Sequence, residues 1–159
     1  MMKLRTALAI SALLSAMIAL PAMAAPDVYV VNFRNDGEPA SKMLDDALSA
    51  AIKIAGVEAE EVIVDTTTAA KWERSAHDAF NRNLVPVFNR WVGLPGFAAI
   101  VDADTKAVIG CVTPRIAPTE MARALRQMAQ TAQGQAVMTR ASTSSATECP
   151  ADYNTPLVE

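Results

Sequence analysis

Two cysteines, Cys111 and Cys149, are the residues of this 159-residue chain best suited to covalent chemistry. They form neither a C-x-x-C pair nor part of a His/Cys cluster, so their spacing gives no sign of a metal site. Provided that the chain is exported, an even cysteine count indicates a disulfide, which would fasten the C-terminal tail back across the last predicted helix. The alternative is a reactive thiol or a bond to another chain. It requires a depressed thiol pKa, for which only Arg115 offers a nearby cation.

The other polar residues give no recognisable catalytic or cofactor-binding motif. His77, the only histidine, adjoins Asp78 on a predicted helix, where neighbouring side chains point in different directions and cannot form a triad. Asp102 and Asp104 lie in a polar turn that lacks the alternating ligands and the glycine of a calcium loop. We therefore expect no metal and no cofactor.

The N-terminus has the order of regions found in a secretory signal peptide. Lys3 and Arg5 form a short basic region, an apolar region follows over residues 8–20, and Ala22-Met23-Ala24 is an A-x-A cleavage pattern. We predict a signal peptide over residues 1–24 and a periplasmic or secreted mature chain with no stable membrane span. The apolar region is shorter than the roughly 20 residues of a spanning helix, and a retained anchor is the alternative.

The mature chain is acidic and of single-domain size. Removing the signal peptide reduces the 14 basic residues to 12 against 17 acidic ones, a net charge of −5. Nucleic-acid surfaces rely on clustered Lys and Arg, so no nucleic-acid partner is expected. We predict one domain over residues 25–138. Residues 139–159, rich in Ser, Thr and Ala and without periodicity, form a predicted tail.

Hydrophobic patterning predicts the order β-α-β-α-β-β-α, an α/β fold with a small mixed sheet. The predicted elements are a strand at 27–33, a helix at 39–55, a strand at 57–65, a helix from 69 to about 83, a short helical turn at 87–93, a hairpin with strands at 97–101 and 107–109, and a helix from 119 to about 138. The first two strands should be parallel and the last two antiparallel, with helices on both faces. We expect the second strand to be buried on both faces, and the second helix to bury Trp72, Ala76, Ala79 and Phe80.

Pro95, between Leu94 and Gly96, stands immediately before the hairpin, and this arrangement resembles the second half of a thioredoxin-like domain. The resemblance covers residues 27–138 in order and spacing. It implies that strands 27–33 and 97–101 are neighbours in one sheet. The family's proline is often cis, and a trans proline is the alternative.

A thioredoxin-like oxidoreductase carries its reactive cysteine at the start of the first helix, where the helix dipole stabilises the thiolate. The equivalent loop here, residues 34–41, has no cysteine. The resemblance therefore implies a domain without dithiol oxidoreductase activity, with Cys111 away from the start of that helix. The surface where the family's cysteine would lie could still bind a partner. Its candidate residues are Arg34, Asn35, Asp36, Trp91, Leu94 and Pro95.

We expect the partner to be a protein or an extended peptide in the bacterial cell envelope, received beside Pro95 by strand-like hydrogen bonding. The chain also resembles, more weakly, exported thioredoxin-like accessory proteins of conjugative transfer and envelope assembly. One alternative is a thiol-disulfide exchange protein that uses Cys111, with Cys149 as its resolving partner. Another is a secreted factor that acts on another cell.

Overall fold

A computed structural model describes residues 25–134 and 148–152 of the chain. The elements found in these ranges are β1 (Val28–Arg34), α1 (Pro39–Ala55), β2 (Ala59–Asp65), α2 (Ala69–Asn81), α3 (Val85–Trp91), β3 (Phe97–Asp102), β4 (Val108–Val112) and α4 (Pro118–Ala132). The predicted signal peptide, the end of the predicted last helix and most of the predicted tail lie outside the described residues.

The four strands form one mixed sheet in the order β2-β1-β3-β4. β1 runs parallel to β2 and antiparallel to β3, and β3 runs antiparallel to β4. Val31, for example, lies between Val62 of β2 and Ala99 of β3. The prediction of an α/β fold with a small mixed sheet is confirmed.

Apolar side chains project from both faces of the central strands because successive residues of a strand point to opposite sides. On one face, Val30 belongs to an apolar cluster with Leu48 of α1 and Leu125 of α4. On the other, Phe33 belongs to a cluster with Ala79 of α2 and Trp91 of α3. Each face is therefore covered by two helices.

Local signals set the bounds of α1. Pro39 occupies the first turn, where its missing N–H is not needed. Gly56 ends the helix in the left-handed region at φ 62°, and its N–H donates to Ile52 O at 3.3 Å. The helix has the bounds predicted from its periodicity, Pro39–Ala55.

The chain between β2 and β3 forms two helices, of which α2 ends at Asn81 and α3 begins at Val85. Asn83 adopts a left-handed φ of 58°, and Leu84 N–H donates to Ala79 O at 2.7 Å, so the backbone turns between the helices. Thr68 caps α2 by accepting from Lys71 N–H at 3.2 Å.

The predicted inward face of α2 is partly wrong. Trp72 is 46% exposed and Phe80 is 70% exposed, whereas Ser75 and Ala79 are buried. The Ser75 hydroxyl accepts from Asp65 N–H at 2.9 Å and donates to Lys71 O at 2.9 Å. Small side chains on this stripe let α2 approach the end of β2, which turns the larger aromatic residues outward.

The prediction that the second strand is buried on both faces is also wrong. β2 is an edge strand, and although Val62 and Val64 are buried, Ile63 is 45% exposed. Val62 and Val64 belong to the apolar cluster beneath α2 and α3, whereas Ile63, which points to the opposite face, belongs to neither apolar cluster.

The β3–β4 turn depends on Asp102. Its Oδ1 accepts from the N–H groups of Thr105 at 2.8 Å and Asp104 at 2.9 Å. The Thr105 bond, supported by that from Asp104, holds the pKa of Asp102 below its usual value despite the opposing effect of burial.

We predict that Asp102→Ala lowers the free energy of unfolding at pH 7 by about 1–2 kcal/mol, since two donors lose a charged acceptor. Because the folded pKa is the lower one, the carboxylate's contribution is complete above about pH 4 and is lost as pH falls through the folded pKa. Asp102→Asn keeps a hydrogen-bond acceptor without the charge. It should therefore retain part of the free energy of unfolding and reduce its dependence on pH below pH 4. Urea unfolding at pH 7 and pH 3 checks this. Equal acid sensitivity in wild type and both variants would contradict it.

Candidate functional site

The candidate site lies where β1 ends and β3 begins, which the antiparallel pairing brings to the same end of the sheet. Phe33 pairs with Phe97, and Gly96 N–H donates to Phe33 O at 2.8 Å. The segment before the hairpin and the loop after β1 therefore lie together, as predicted.

Gly96 allows the segment before β3 to approach the first turn of α1. Its φ of 92° is in the left-handed region, and a Cβ built there would lie 3.1 Å from the Cβ of Ala40. A larger residue at this position would strain the backbone and crowd α1.

A groove of about 550 Å³ opens beside this approach. Three segments form its walls: the start of α1 with the segment before β3, the connection after β4, and residues near Cys149. The lining residues are Ala40, Leu94, Pro95, Gly96, Phe97, Thr113, Pro114, Arg115, Ile116, Glu148, Cys149 and Pro150.

One wall of the groove is a short segment, Glu148–Asp152, which we call the strap. The sulfurs of Cys111 and Cys149 lie at bonding distance, 2.10 Å, which agrees with the expected disulfide. On the chain-entropy estimate, closing a loop of this length contributes about 3–4 kcal/mol. Pro150 O accepts from Trp91 Nε1 at 3.2 Å, and Asp152 forms an ion pair with Arg90.

The strap packs beside α3, on the opposite face of the sheet from α4, and the route of the tail between α4 and the strap lies outside the described residues. Cys111 points to the face covered by α2 and α3, since the next residue of β4, Val112, joins the core under α4. The bond to Cys111 therefore draws Cys149 to the α3 side.

A charged cluster lies on the other side of the loop after β1; it comprises Arg34, Asp36, Asp45, Asp65 and Lys71, and we call it the ionic cluster. Arg34 Nη2 lies 2.6 Å from Asp36 and 3.3 Å from Asp45. Lys71 Nζ lies 2.6 Å from Asp36 and 3.1 Å from Asp65.

These contacts shift three pKa values in the directions that favour the charged forms. The hydrogen bond from Lys71 lowers the pKa of Asp36, and the same bond, with that to Asp65, raises the pKa of Lys71. Burial raises the pKa of Asp65, but hydrogen bonds from Thr67 and Lys71 outweigh it, so this pKa lies below its usual value.

A buried polar side chain beneath α1 was not singled out from the sequence. Asn32 is only 1% exposed, and its Nδ2 donates to Asp45 Oδ1 at 2.8 Å and to Glu61 Oε1 at 3.0 Å. The available signal was an asparagine inside an otherwise apolar strand, where a buried amide needs hydrogen-bond partners.

Five of the six predicted binding residues divide into three groups. Arg34 and Asp36 belong to the ionic cluster. Asn35 shapes the loop, since its side chain accepts from Gly37 N–H at 2.9 Å. Leu94 and Pro95 line the groove.

Trp91, the sixth predicted binding residue, is fully buried. Its ring packs edge-on against Phe33 and Phe97, with centroids 6.0 and 5.6 Å away. Trp91 therefore supports the groove from beneath, and its side chain forms no part of the exposed surface.

The segment beside Pro95 offers no free N–H group. Leu94 N–H donates to Trp91 O at 3.0 Å, Gly96 N–H donates to Phe33 O, and proline has no donor. Strand-like hydrogen bonding here would be limited to the carbonyl oxygens of this segment. All peptide bonds of the described residues are trans, so Leu94–Pro95 is trans.

We predict that Lys71→Met destabilises the fold near neutral pH and reduces its acid sensitivity. Asp36 and Asp65 have lowered pKa values, so their contribution to the free energy of unfolding is present above about pH 4 and is lost as pH falls. Lys71 has a raised pKa, so its contribution is present below about pH 10.5 and is lost above it. Urea midpoints should therefore fall at pH 7 and change little at pH 2. Lys42→Met, on an exposed position of α1, is the control; an equal effect of both variants would contradict the role of the ionic cluster.

No family model, curated protein or solved structure matches this chain. Within residues 25–134 and 148–152, no helix is long and apolar enough to cross a membrane. The same residues contain no group of three or more His, Cys, Asp or Glu side chains arranged to hold a metal ion.

Proposed function

We propose that this protein is an exported, non-catalytic thioredoxin-like module of the bacterial cell envelope that binds a protein or peptide partner in the groove. The observation that carries the proposal is the position of the groove. It lies against the first turn of α1 and the segment Leu94–Gly96, the two regions where the thioredoxin-like resemblance expects the reactive cysteine and the pre-hairpin proline.

The sheet supports the thioredoxin-like assignment. Strands β1 and β3 are neighbours, with Phe33 beside Phe97, and this adjacency is what the resemblance requires. Cys111 lies in β4, where it pairs with Ala99 of β3, and β4 is two strands away from β1. The start of α1 has Glu38, Pro39 and Ala40 where the family's oxidoreductases have a cysteine.

The lining of the groove favours an extended segment with apolar side chains. Leu94, Pro95, Ile116 and Pro150 offer apolar surface, while Arg115 is exposed at the rim. Because the N–H groups beside Pro95 are already bonded, the partner would supply N–H donors and the groove would supply carbonyl acceptors. Most of the binding free energy would then come from burial of apolar side chains.

We predict that Leu94→Asp reduces partner capture at least tenfold, because it places a charge among the apolar residues of the groove. The experiment uses immobilised residues 25–159 and an envelope extract, with captured proteins quantified by mass spectrometry. Phe80→Asp is the matched control, since it places the same charge on an exposed aromatic position of α2. Circular dichroism verifies that both variants are folded.

Capture that is lost with Phe80→Asp and kept with Leu94→Asp would overturn the assignment of the groove. Trp91→Ala is unsuitable for this purpose, because truncating a fully buried tryptophan costs about 3–5 kcal/mol of stability.

One observation supports the alternative, a thiol-disulfide exchange protein: Cys149 lines the groove and is partly exposed. Cys111 is fully buried and bonded, so it could act as an attacking thiol only after another thiol had opened the bridge. Catalytic reduction of insulin by residues 25–159, lost with Cys111→Ser, would favour this alternative over the non-catalytic module.

A further inference from the structure

The strap is the wall of the groove most dependent on a single covalent bond. It belongs to the C-terminal stretch, and the links that hold residues 148–152 against β4 and α3 include three that involve side chains. These are the disulfide from Cys149, the hydrogen bond from Trp91 Nε1 to Pro150 O, and the ion pair of Arg90 with Asp152. The side chains of that ion pair are 44% and 41% exposed, so solvent and salt weaken it.

The two sulfurs differ in how an incoming thiolate can reach them. Cys111 is fully buried in the core between the sheet and α3, whereas Cys149 is partly exposed and lines the groove. Thiol-disulfide exchange requires access to one of the sulfurs, and the accessible sulfur is the one attacked.

We propose that the Cys111–Cys149 bond is a redox latch: a thiol entering from the groove attacks Cys149, and reduction releases the strap. Release removes the groove wall formed by Cys149 and Pro150 and uncovers the indole of Trp91. The redox state of the bond thus regulates the groove, and this regulatory consequence rests on the proposed binding function.

The chemistry balances with a dithiol as reductant. Its first thiolate forms a bond to Cys149 Sγ, the S–S bond breaks, and Cys111 leaves as a thiolate that takes up a proton. The second thiolate of the reductant then attacks the mixed disulfide and releases Cys149 as a thiolate, which is also protonated. Two electrons pass to the protein, and the reductant becomes a disulfide.

After reduction, the hydrogen bond from Trp91 and the exposed ion pair with Arg90 still link the strap to α3. Both are weak in net terms because water competes for the same groups, whereas ordering the strap's backbone costs conformational entropy. We therefore expect loss of the covalent bond to free the segment, while both core clusters keep their helices and strands.

The first test identifies the attacked sulfur. Oxidised residues 25–159 are incubated with excess reduced glutathione without denaturant and quenched in acid, and peptide mapping by mass spectrometry locates the mixed disulfide. We expect glutathione on Cys149 in at least tenfold excess over Cys111. Glutathione mainly on Cys111, or reaction only after addition of denaturant, would overturn the proposal.

The second test follows the strap. In the Trp72→Phe variant, Trp91 is the only tryptophan. Reduction by dithiothreitol should shift its emission to longer wavelength and increase its quenching by acrylamide at least twofold, with far-ultraviolet circular dichroism unchanged. The variant Cys111→Ala/Cys149→Ala should show the same emission without reductant. Emission that stays the same after complete reduction would overturn release of the strap.

The partner-capture experiment, repeated with dithiothreitol-reduced and alkylated protein, separates the two proposals. A change of capture on reduction, in either direction, supports regulation of the groove. Release of the strap with unchanged, groove-dependent capture overturns the regulation and leaves the binding function intact. Release of the strap with no groove-dependent capture in either state overturns the binding function, while the redox latch still holds.

Discussion

The antiparallel pairing of β1 with β3 is the contact on which the rest of this structure depends. It brings Phe33 beside Phe97, with ring centroids 4.9 Å apart and nearly parallel planes, and Trp91 packs edge-on against both rings. These segments are far apart in the chain, so the pairing closes most of the domain into one sheet. The same pairing places Gly96 at the carbonyl of Phe33 and so creates the end of the sheet at which the groove lies.

A sheet buried on both faces leaves its ends and loops as the places where polar groups and ligands can be accommodated. At the end described here, two surfaces of opposite character lie on either side of the loop after β1. In the ionic cluster the cations and the carboxylates pair with one another, as Lys71 does with Asp36. The groove beside Leu94 and Pro95 combines apolar lining residues with polar ones such as Arg115 and Glu148, and it has no comparable network of ion pairs among its lining residues. A partner that brings apolar side chains therefore gains more at the groove.

The strap extends the core beyond what the helices and strands alone provide. Pro150 completes the hydrogen bonding of the buried indole of Trp91, and Cys149 packs against the same cluster. A buried tryptophan needs a partner for its N–H group, and here a distant segment of the chain supplies it. The strap therefore contributes to the groove, to the burial of Trp91 and to the disulfide at the same time.

Local physical signals in the sequence determined the α/β class, the bounds of α1, the cap of α2 and the hairpin, because periodicity, caps and turn residues act over a few positions. Tertiary packing decided which helix face was buried: the small Ser75 and Ala79 allowed close approach to β2, and Trp72 turned outward. It also decided that Trp91 is buried and that Cys149 lies at the groove. Neither fact can be read from residue type or spacing, since both depend on where a distant segment of the chain comes to rest.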